Sequence, residues 1–263
     1  MAGLTNFNVL LIRCFACAAL LAFGCTNAYA QSTNPLPPAT AAFEGLSFIK
    51  KLKLARAGDD LAQLSVALDY ENGLNSARKD VVQAARWYRE AALLGNVDAQ
   101  YRLAKLVSGG APDLPQDLGS ALKLFQSAAE RGHIPSQNEM GLRLQKGDGV
   151  AVDLVAAVKW YEKAASQNYA PAQVNLGLLY VKGQGADQNL AEAFKLFERA
   201  ADTGDAWALN NLGSMYEMGW GTGRNLEKAK SLYQEAMSRG NKMAEVNLRR
   251  LVDSAAATTA TPD

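Results

Sequence analysis

The sequence predicts an all-α protein: a solenoid of about five stacked helix-turn-helix repeats with a capping helix at each end. Three observations carry this. A small residue returns at a near-constant period, as Ala62, Ala99, Ser136, Ala172, Ala208 and Ala244, spaced 37, 37, 36, 36 and 36 residues apart. A glycine four residues earlier returns with it, as Gly58, Gly95, Gly132, Gly204 and Gly240, with Asn168 in the remaining place. An Asp or Asn recurs inside each period, at Asp80, Asp117, Asp153, Asn189 and Asn225.

Each period reads as two helices. The first is short: in AQVNLGLLY, Ala172, Leu176, Leu179 and Tyr180 are spaced to share one face. A turn with paired glycines follows, Gly183-Gln184-Gly185, with counterparts Gly147-Asp148-Gly149 and Gly219-Trp220-Gly221. Paired glycines suit positive φ. The first two turns depart from this, with Asn75 and Pro112 where the second glycine stands, so a different shape is expected there. The recurring Asp or Asn is an N-cap, whose side-chain oxygen accepts an orphan amide of the next helix. The second helix carries an aromatic and then an alanine pair: Trp87-Tyr88 with Ala91-Ala92, Phe125 with Ala128-Ala129, Trp160-Tyr161 with Ala164-Ala165, Phe197 with Ala200-Ala201, and Tyr233 with Ala236. Small residues let helix backbones approach, and the aromatic fills the space between neighbours. One hairpin alone could bury neither face, so the unit must recur. Each period ends at Gly or Asn, the residues best suited to a left-handed helix terminus.

The segments outside the repeats read differently. Residues 1–30 hold one charge, Arg13, followed by the apolar run CFACAALLAFGC and the small-x-small site Ala28-Tyr29-Ala30. This predicts a signal peptide cleaved after Ala30 and a periplasmic or secreted protein, with an unprocessed anchor or a buried helix as the plainer reading. The stretch Ala22-Phe23-Gly24-Cys25 loosely matches a lipoprotein cleavage box, so lipidation through Cys25 is the variant to weigh. Residues 31–42 read as a flexible linker, 43–57 as an N-terminal capping helix, 58–251 as the solenoid and 252–263 as a disordered tail. All three cysteines, Cys14, Cys17 and Cys25, precede the expected cleavage point, so the mature chain would have no thiol for catalysis, redox chemistry or metal ligation. Charge is balanced, with 27 Lys and Arg against 26 Asp and Glu, which points away from nucleic acid or an anionic membrane as the main partner. No membrane span is expected after signal cleavage. The basic residues Lys50, Lys51, Lys53 and Arg56 cluster on the first cap and read as a solvated end face, with a docking patch as the alternative.

The pattern A-x-x-x-L-G-x-x-Y-x-x-G-x-G, followed by Asp or Asn and an Ala-x-x-W/L-Y/F-x-x-A-A-x-x-G tail, resembles the Sel1-like repeat, a relative of the tetratricopeptide repeat with a longer turn. The resemblance covers about residues 58–251 and implies a right-handed α-solenoid. Exported bacterial proteins of this kind act as regulators of sensor kinases, as assembly factors for envelope or exopolysaccharide machinery, or as host-interaction factors. The resemblance therefore implies a protein partner, such as a sensor kinase or an envelope assembly component. Some cysteine-rich members are described as binding or hydrolysing β-lactams. Their repeats are stapled by cysteine pairs that this mature chain lacks, so that activity is not carried over.

Residues for chemistry are sparse. His133, the only histidine, falls at a helix junction where other repeats have Asn96, Tyr169, Asp205 and Asn241, and it reads as a variable surface position rather than a ligand or base. Gly219-Trp220-Gly221-Thr222-Gly223 resembles a phosphate loop only superficially, because it is the repeat turn in register. Glu71, Asp80, Asp148, Asp153 and Glu217 lie on or near turns, and nothing in their spacing selects a catalytic pair, so they read as solvated turns and caps. The sequence predicts no enzyme, no cofactor and no metal.

Binding is the remaining reading. A solenoid lines its concave face with first helices. Asn175, Asn211 and Asn247 recur there 36 residues apart, as a ladder able to hold an extended peptide or, alternatively, to brace the helix pairs internally. Another first-helix row reads Asp69, Leu106, Arg143, Leu179 and Met215, whose mixed character suits a protein ligand. Trp220, between two turn glycines and close in sequence to Trp207 and Met218, is the best anchor for an interface; the plainer reading is packing beneath the last cap. The expected function is that of an exported interaction scaffold. The alternatives are an envelope hydrolase acting on cell-wall or β-lactam-like substrates, and an envelope assembly lipoprotein.

Overall fold

The computed structural model describes residues 38–259. The expected signal peptide, Cys25 and most of the linker lie outside them. A 3-10 turn at Pro38–Phe43 is followed by twelve α-helices: α1 Phe48–Arg56, α2 Asp60–Asn72, α3 Val81–Leu93, α4 Val97–Gly109, α5 Leu118–Glu130, α6 Ile134–Lys146, α7 Leu154–Ala165, α8 Ala170–Lys182, α9 Leu190–Asp202, α10 Ala206–Met218, α11 Leu226–Ser238 and α12 Lys242–Thr259. The described residues contain no strand, only an isolated bridge between Ala111 and Leu114. They form two compact units that divide within α7, between Trp160 and Tyr161. In the N-terminal unit α1 to α6 each pack on the next, and in the C-terminal unit α8 to α12 do the same. The architecture is an all-α solenoid of helix pairs.

The second-helix N-caps are built as their residue types require. Side-chain oxygens of Asp80, Asp117, Asp153, Asn189 and Asn225 accept from the amide three residues on, at 2.9, 2.9, 2.9, 3.0 and 2.9 Å. Asn168 has φ 59°, the left-handed conformation that glycine adopts at the other junctions. The two divergent turns do differ in shape. The first runs through Asn75 and Ser76, both at positive φ. The second is an eight-residue excursion pinched by the Ala111–Leu114 bridge.

The core of each pair is one aromatic ring. Tyr88, Phe125, Tyr161, Phe197 and Tyr233 are all fully buried. In the C-terminal unit the facing residue is glycine. A Cβ on Gly177 would lie 2.7 Å from Phe197 Cε1, and one on Gly213 2.8 Å from Tyr233 Cε1. The ring therefore packs directly on helix backbone, and burying it contributes about 1.5–3 kcal/mol per repeat.

Both ends break this contact. On α12 the register of Gly213 is held by Arg249, whose exposed side chain stands where a further ring would have to approach. On α1 the register of the ring is held by Lys51, which is buried and pairs with buried Asp69 at 3.0 Å. Asn75 Nδ2 donates to the same carboxylate at 2.7 Å. The row containing Asp69 continues as Leu106, Arg143, Leu179, Met215 and Leu251, so the ion pair at this end takes the register that a ring and a mostly apolar partner hold elsewhere. Lys51 is thus not part of a solvated basic face, although Lys50, Lys53 and Arg56 are exposed. At the other end, α12 continues to Thr259 through the expected disordered tail. Residues 252–259 contain three alanines and no Gly or Pro, and alanine is the strongest helix former.

Two outcomes follow for equilibrium urea unfolding. Gly213→Ala should destabilise by about 1–3 kcal/mol, because the ring cannot retreat without opening the pair; an unchanged midpoint would contradict the close contact. Lys51→Met alone should cost about 3–5 kcal/mol by stranding Asp69, while Lys51→Met with Asp69→Leu should recover most of that loss.

Candidate functional site

The first helices position most of the residues singled out above. Asn175 on α8, Asn211 on α10 and Asn247 on α12 are all buried. Asn247 Nδ2 donates to Asn210 Oδ1 on α10 at 2.9 Å, so the ladder ties one first helix to the next. Met215 is fully buried among Phe197, Leu212 and Tyr233 in the C-terminal core. Arg143 on α6 is also buried, its guanidinium 4.7 Å from the centre of the Phe125 ring. Trp220 is half-buried and packs against the same core as Met215. Of the six, Trp220 alone presents substantial surface. Burial of the Asn ladder and Met215 leaves them to act through helix spacing.

The titratable residues form internal braces. Glu217, expected on a solvated turn, is buried. It accepts from Tyr233 Oη at 2.8 Å and takes a two-pronged contact from Arg250, at 2.6 and 2.7 Å. Ser214 Oγ lies 3.0 Å from the same phenol. Tyr88 donates to Glu71, which also faces Arg102 at 3.6 Å. The reason is the ring: a tyrosine at the core position carries its hydroxyl to the last turn of the preceding first helix, where an acceptor must meet it. Where the ring is Phe197 that place holds Val181, and where it is Phe125 it holds Ser108. The pairing of residue types is visible in the sequence as Glu with Tyr at the first and fifth repeats.

Burial, then the neighbouring Glu71 carboxylate, raises the Tyr88 phenol well above its ordinary value; burial and then Glu217 raise Tyr233 likewise. Both stay protonated and both carboxylates are engaged, so neither cluster offers a free base.

His133 is an N-cap rather than a variable surface residue. Its Nδ1 accepts from the Ser136 amide at 3.3 Å, and its Nε2 lies 3.3 Å from Asp98 on α4. Asn96, Asp205 and Asn241 cap their helices in the same way. Asn96 and Asn241 also reach the preceding first helix, at Asp60 and at the Ala206 carbonyl. Gly219 and Gly221 have φ of 71° and 68° in an ordinary repeat turn. Among the described residues no cluster of three His, Cys, Asp or Glu side chains is placed to hold a metal ion. No described helix is long and apolar enough to cross a membrane.

The helix pairs with their internal braces match a known unit. The Sel1 repeat family model matches residues 60–96, 97–133, 134–169, 170–205 and 208–241. The chain belongs to the Sel1 repeat family. Among solved structures it is similar to a protective antigen of uropathogenic Escherichia coli with an SLR fold, at 30% identity and TM-score 0.72, over 77% of this chain and 43% of that one. It is also similar to a Sel1 repeat protein from Oxalobacter formigenes, at 30% identity and TM-score 0.68, over 78% of this chain and 58% of that one. A Sel1 repeat protein from Klebsiella pneumoniae subsp. pneumoniae shares the fold at 23% identity and TM-score 0.51, over 78% of this chain and 99% of that one. The chain spans less than two thirds of the first two structures. No curated protein sequence matches it. Sel1 repeats generally mediate contacts between proteins, and the family is typically a scaffold without catalytic function.

The raised phenols set a pH dependence. A folded-state pKa above the unfolded value of about 10 contributes stability that is complete below pH 10 and lost as pH rises from there towards the folded value. Urea midpoints should therefore fall above pH 10, and fall less in a Tyr88→Phe/Tyr233→Phe variant; equal slopes would contradict the buried, protonated phenols.

Proposed function

We propose that this Sel1 repeat protein is an exported adaptor that binds a protein partner, and that it serves an envelope signalling or exopolysaccharide system. The observation that carries the reading is the division of labour within each repeat. Residues that recur in register are spent on caps, rings and braces, while half-buried Trp220 stands in a turn position where other repeats have Asp148 and Gln184. In this reading Asn175, Asn211, Asn247, Met215 and Arg143 hold the first helices at fixed spacing. Trp220 contributes contact surface directly, helped by half-exposed Trp207 and Met218 on α10. Export rests on the Arg13-to-Ala30 sequence, and the periplasm is the proposed compartment.

The test uses residues 31–263 as bait against a native envelope fraction, followed by reconstitution with each purified candidate. The expected result is a defined envelope protein that binds the wild type and binds at least tenfold more weakly to Trp220→Ala, with unchanged circular dichroism. A failure to reconstitute any partner would overturn the adaptor reading. Mass spectrometry of the native protein should find Gln31 at its N-terminus; Cys25 there would make it a lipoprotein instead.

A further inference from the structure

The second repeat has the smallest residue at one internal register, which holds Tyr70, Val107, Leu144, Tyr180 and Tyr216 along the five repeats. Three residues before the first turn glycine, the family pattern places a tyrosine, and three first helices keep it as Tyr70, Tyr180 and Tyr216. Each phenol lies against the second helix of the preceding repeat. Tyr70 meets Phe48 edge-on, with ring centres 5.2 Å apart, and Tyr216 meets Phe194 in the same way at 5.4 Å. Tyr180 Oη donates to Glu162 at 3.1 Å, eighteen residues earlier in the chain. In the second repeat the tyrosine is Val107, the residue in register with Phe48 and Phe194 is Ala85, and the residue in register with Glu162 is Arg89. Lys228, which lies 4.6 Å from the Tyr216 ring centre, corresponds to Ser120.

These changes leave a groove. It lies within the N-terminal unit between α3, α4 and α5 and is walled by the divergent turn through Leu114 and Pro115, with a volume of about 600 Å³. Leu103, Val107 and Leu124 line it, and Leu93, 77% exposed, stands at its edge. Arg89 and Lys123 supply its cations. Arg89 makes no ion pair or hydrogen bond among the described residues. Asp117, the carboxylate at the rim, is already committed to the Ser120 amide at 2.9 Å. The groove thus has room where three other repeats hold a phenol, and a cation in the register of Glu162, the third-repeat carboxylate that receives the Tyr180 phenol. The missing ring and the reversed charge define the occupant.

We propose that this groove docks a peptide segment of a partner protein, which inserts an aromatic side chain over Val107 and sets a neighbouring carboxylate against Arg89. The site rests on the adaptor reading and names the chemistry of one contact within it. Aromatic anchors in desolvated pockets dominate such interfaces, and an arginine-carboxylate pair supplies orientation.

The test is an NMR titration of residues 31–263, labelled at leucine and valine methyls, with the peptide acetyl-Gly-Glu-Tyr-Glu-Gly-amide at millimolar concentration. Shifts should concentrate at Leu93, Val107, Leu114 and Leu124. They should vanish when the probe's tyrosine is alanine, and weaken at least tenfold when its two glutamates are lysine. Val107→Tyr should abolish binding and keep the fold, since tyrosine occupies this register in three repeats; Arg89→Glu should weaken binding at least tenfold. No shifts at the groove, or shifts indifferent to Val107→Tyr and Arg89→Glu, would overturn the proposal. The envelope pull-down reports separately on the adaptor reading: a reconstituted partner together with a silent groove would sink this site and leave that reading standing.

Discussion

The structure depends on the contact between an aromatic ring on each second helix and a small residue on the first helix of the same pair. At Gly177 and Gly213 that small residue has no Cβ, and the ring of Phe197 or Tyr233 lies on backbone. The first two repeats use Ala67 and Ala104 in the same register. Interhelical distance is set at this point, and from it follow the length of the turn, the position of the N-caps and the need for a partner wherever the ring carries a hydroxyl. The ends confirm the logic by violating it. Arg249 bars a further ring, and Lys51 replaces one with a buried ion pair that needs Asp69 beside it. A repeat array needs such endings, since an unfinished apolar face would recruit another helix.

Much of this was legible in the sequence because it is local. A cap depends on a side chain and an amide three residues away, and a left-handed terminus depends on one residue's φ. Asp80, Asn225 and Asn168 therefore behave as read. The polar residues were less legible, because a helical periodicity says which residues share a face but not which neighbour the face meets. Asn211 and Asn247 were spaced for a peptide ladder and equally for a tie between first helices, and only the packing distinguishes these. Glu217 looked solvated because it precedes a turn, yet the Tyr233 hydroxyl sixteen residues on draws it inside. His133 looked variable because its register tolerates Asn, Asp, His and Tyr; three of those four can accept an amide hydrogen at the first turn, as the cap requires.

A shared frame also gives substitutions a meaning that composition lacks. Val107 is an unremarkable core residue taken alone. Set beside Tyr70, Tyr180 and Tyr216, it is a missing ring with less bulk than the Leu144 that also replaces it, and Arg89 is a reversed charge at the position of Glu162. Function in a repeat protein is sought at such places, where the frame is kept and its filling is withdrawn. The divergent second turn lies against the same groove, so the departures cluster instead of scattering along the chain.

The central claim is that equivalent positions in different repeats do the same physical job. A double-mutant cycle tests it most directly: urea unfolding of residues 31–263 as wild type, Arg89→Glu, Val107→Tyr and the double variant, which transplants the Glu162–Tyr180 pair into the second repeat. The account predicts that the double variant exceeds the sum of its singles by a favourable coupling of about 0.5–1 kcal/mol. A coupling of zero, or an unfavourable one, would mean that the second repeat does not share the frame of the fourth, and the reading of its groove as a vacated ring site would fall with it.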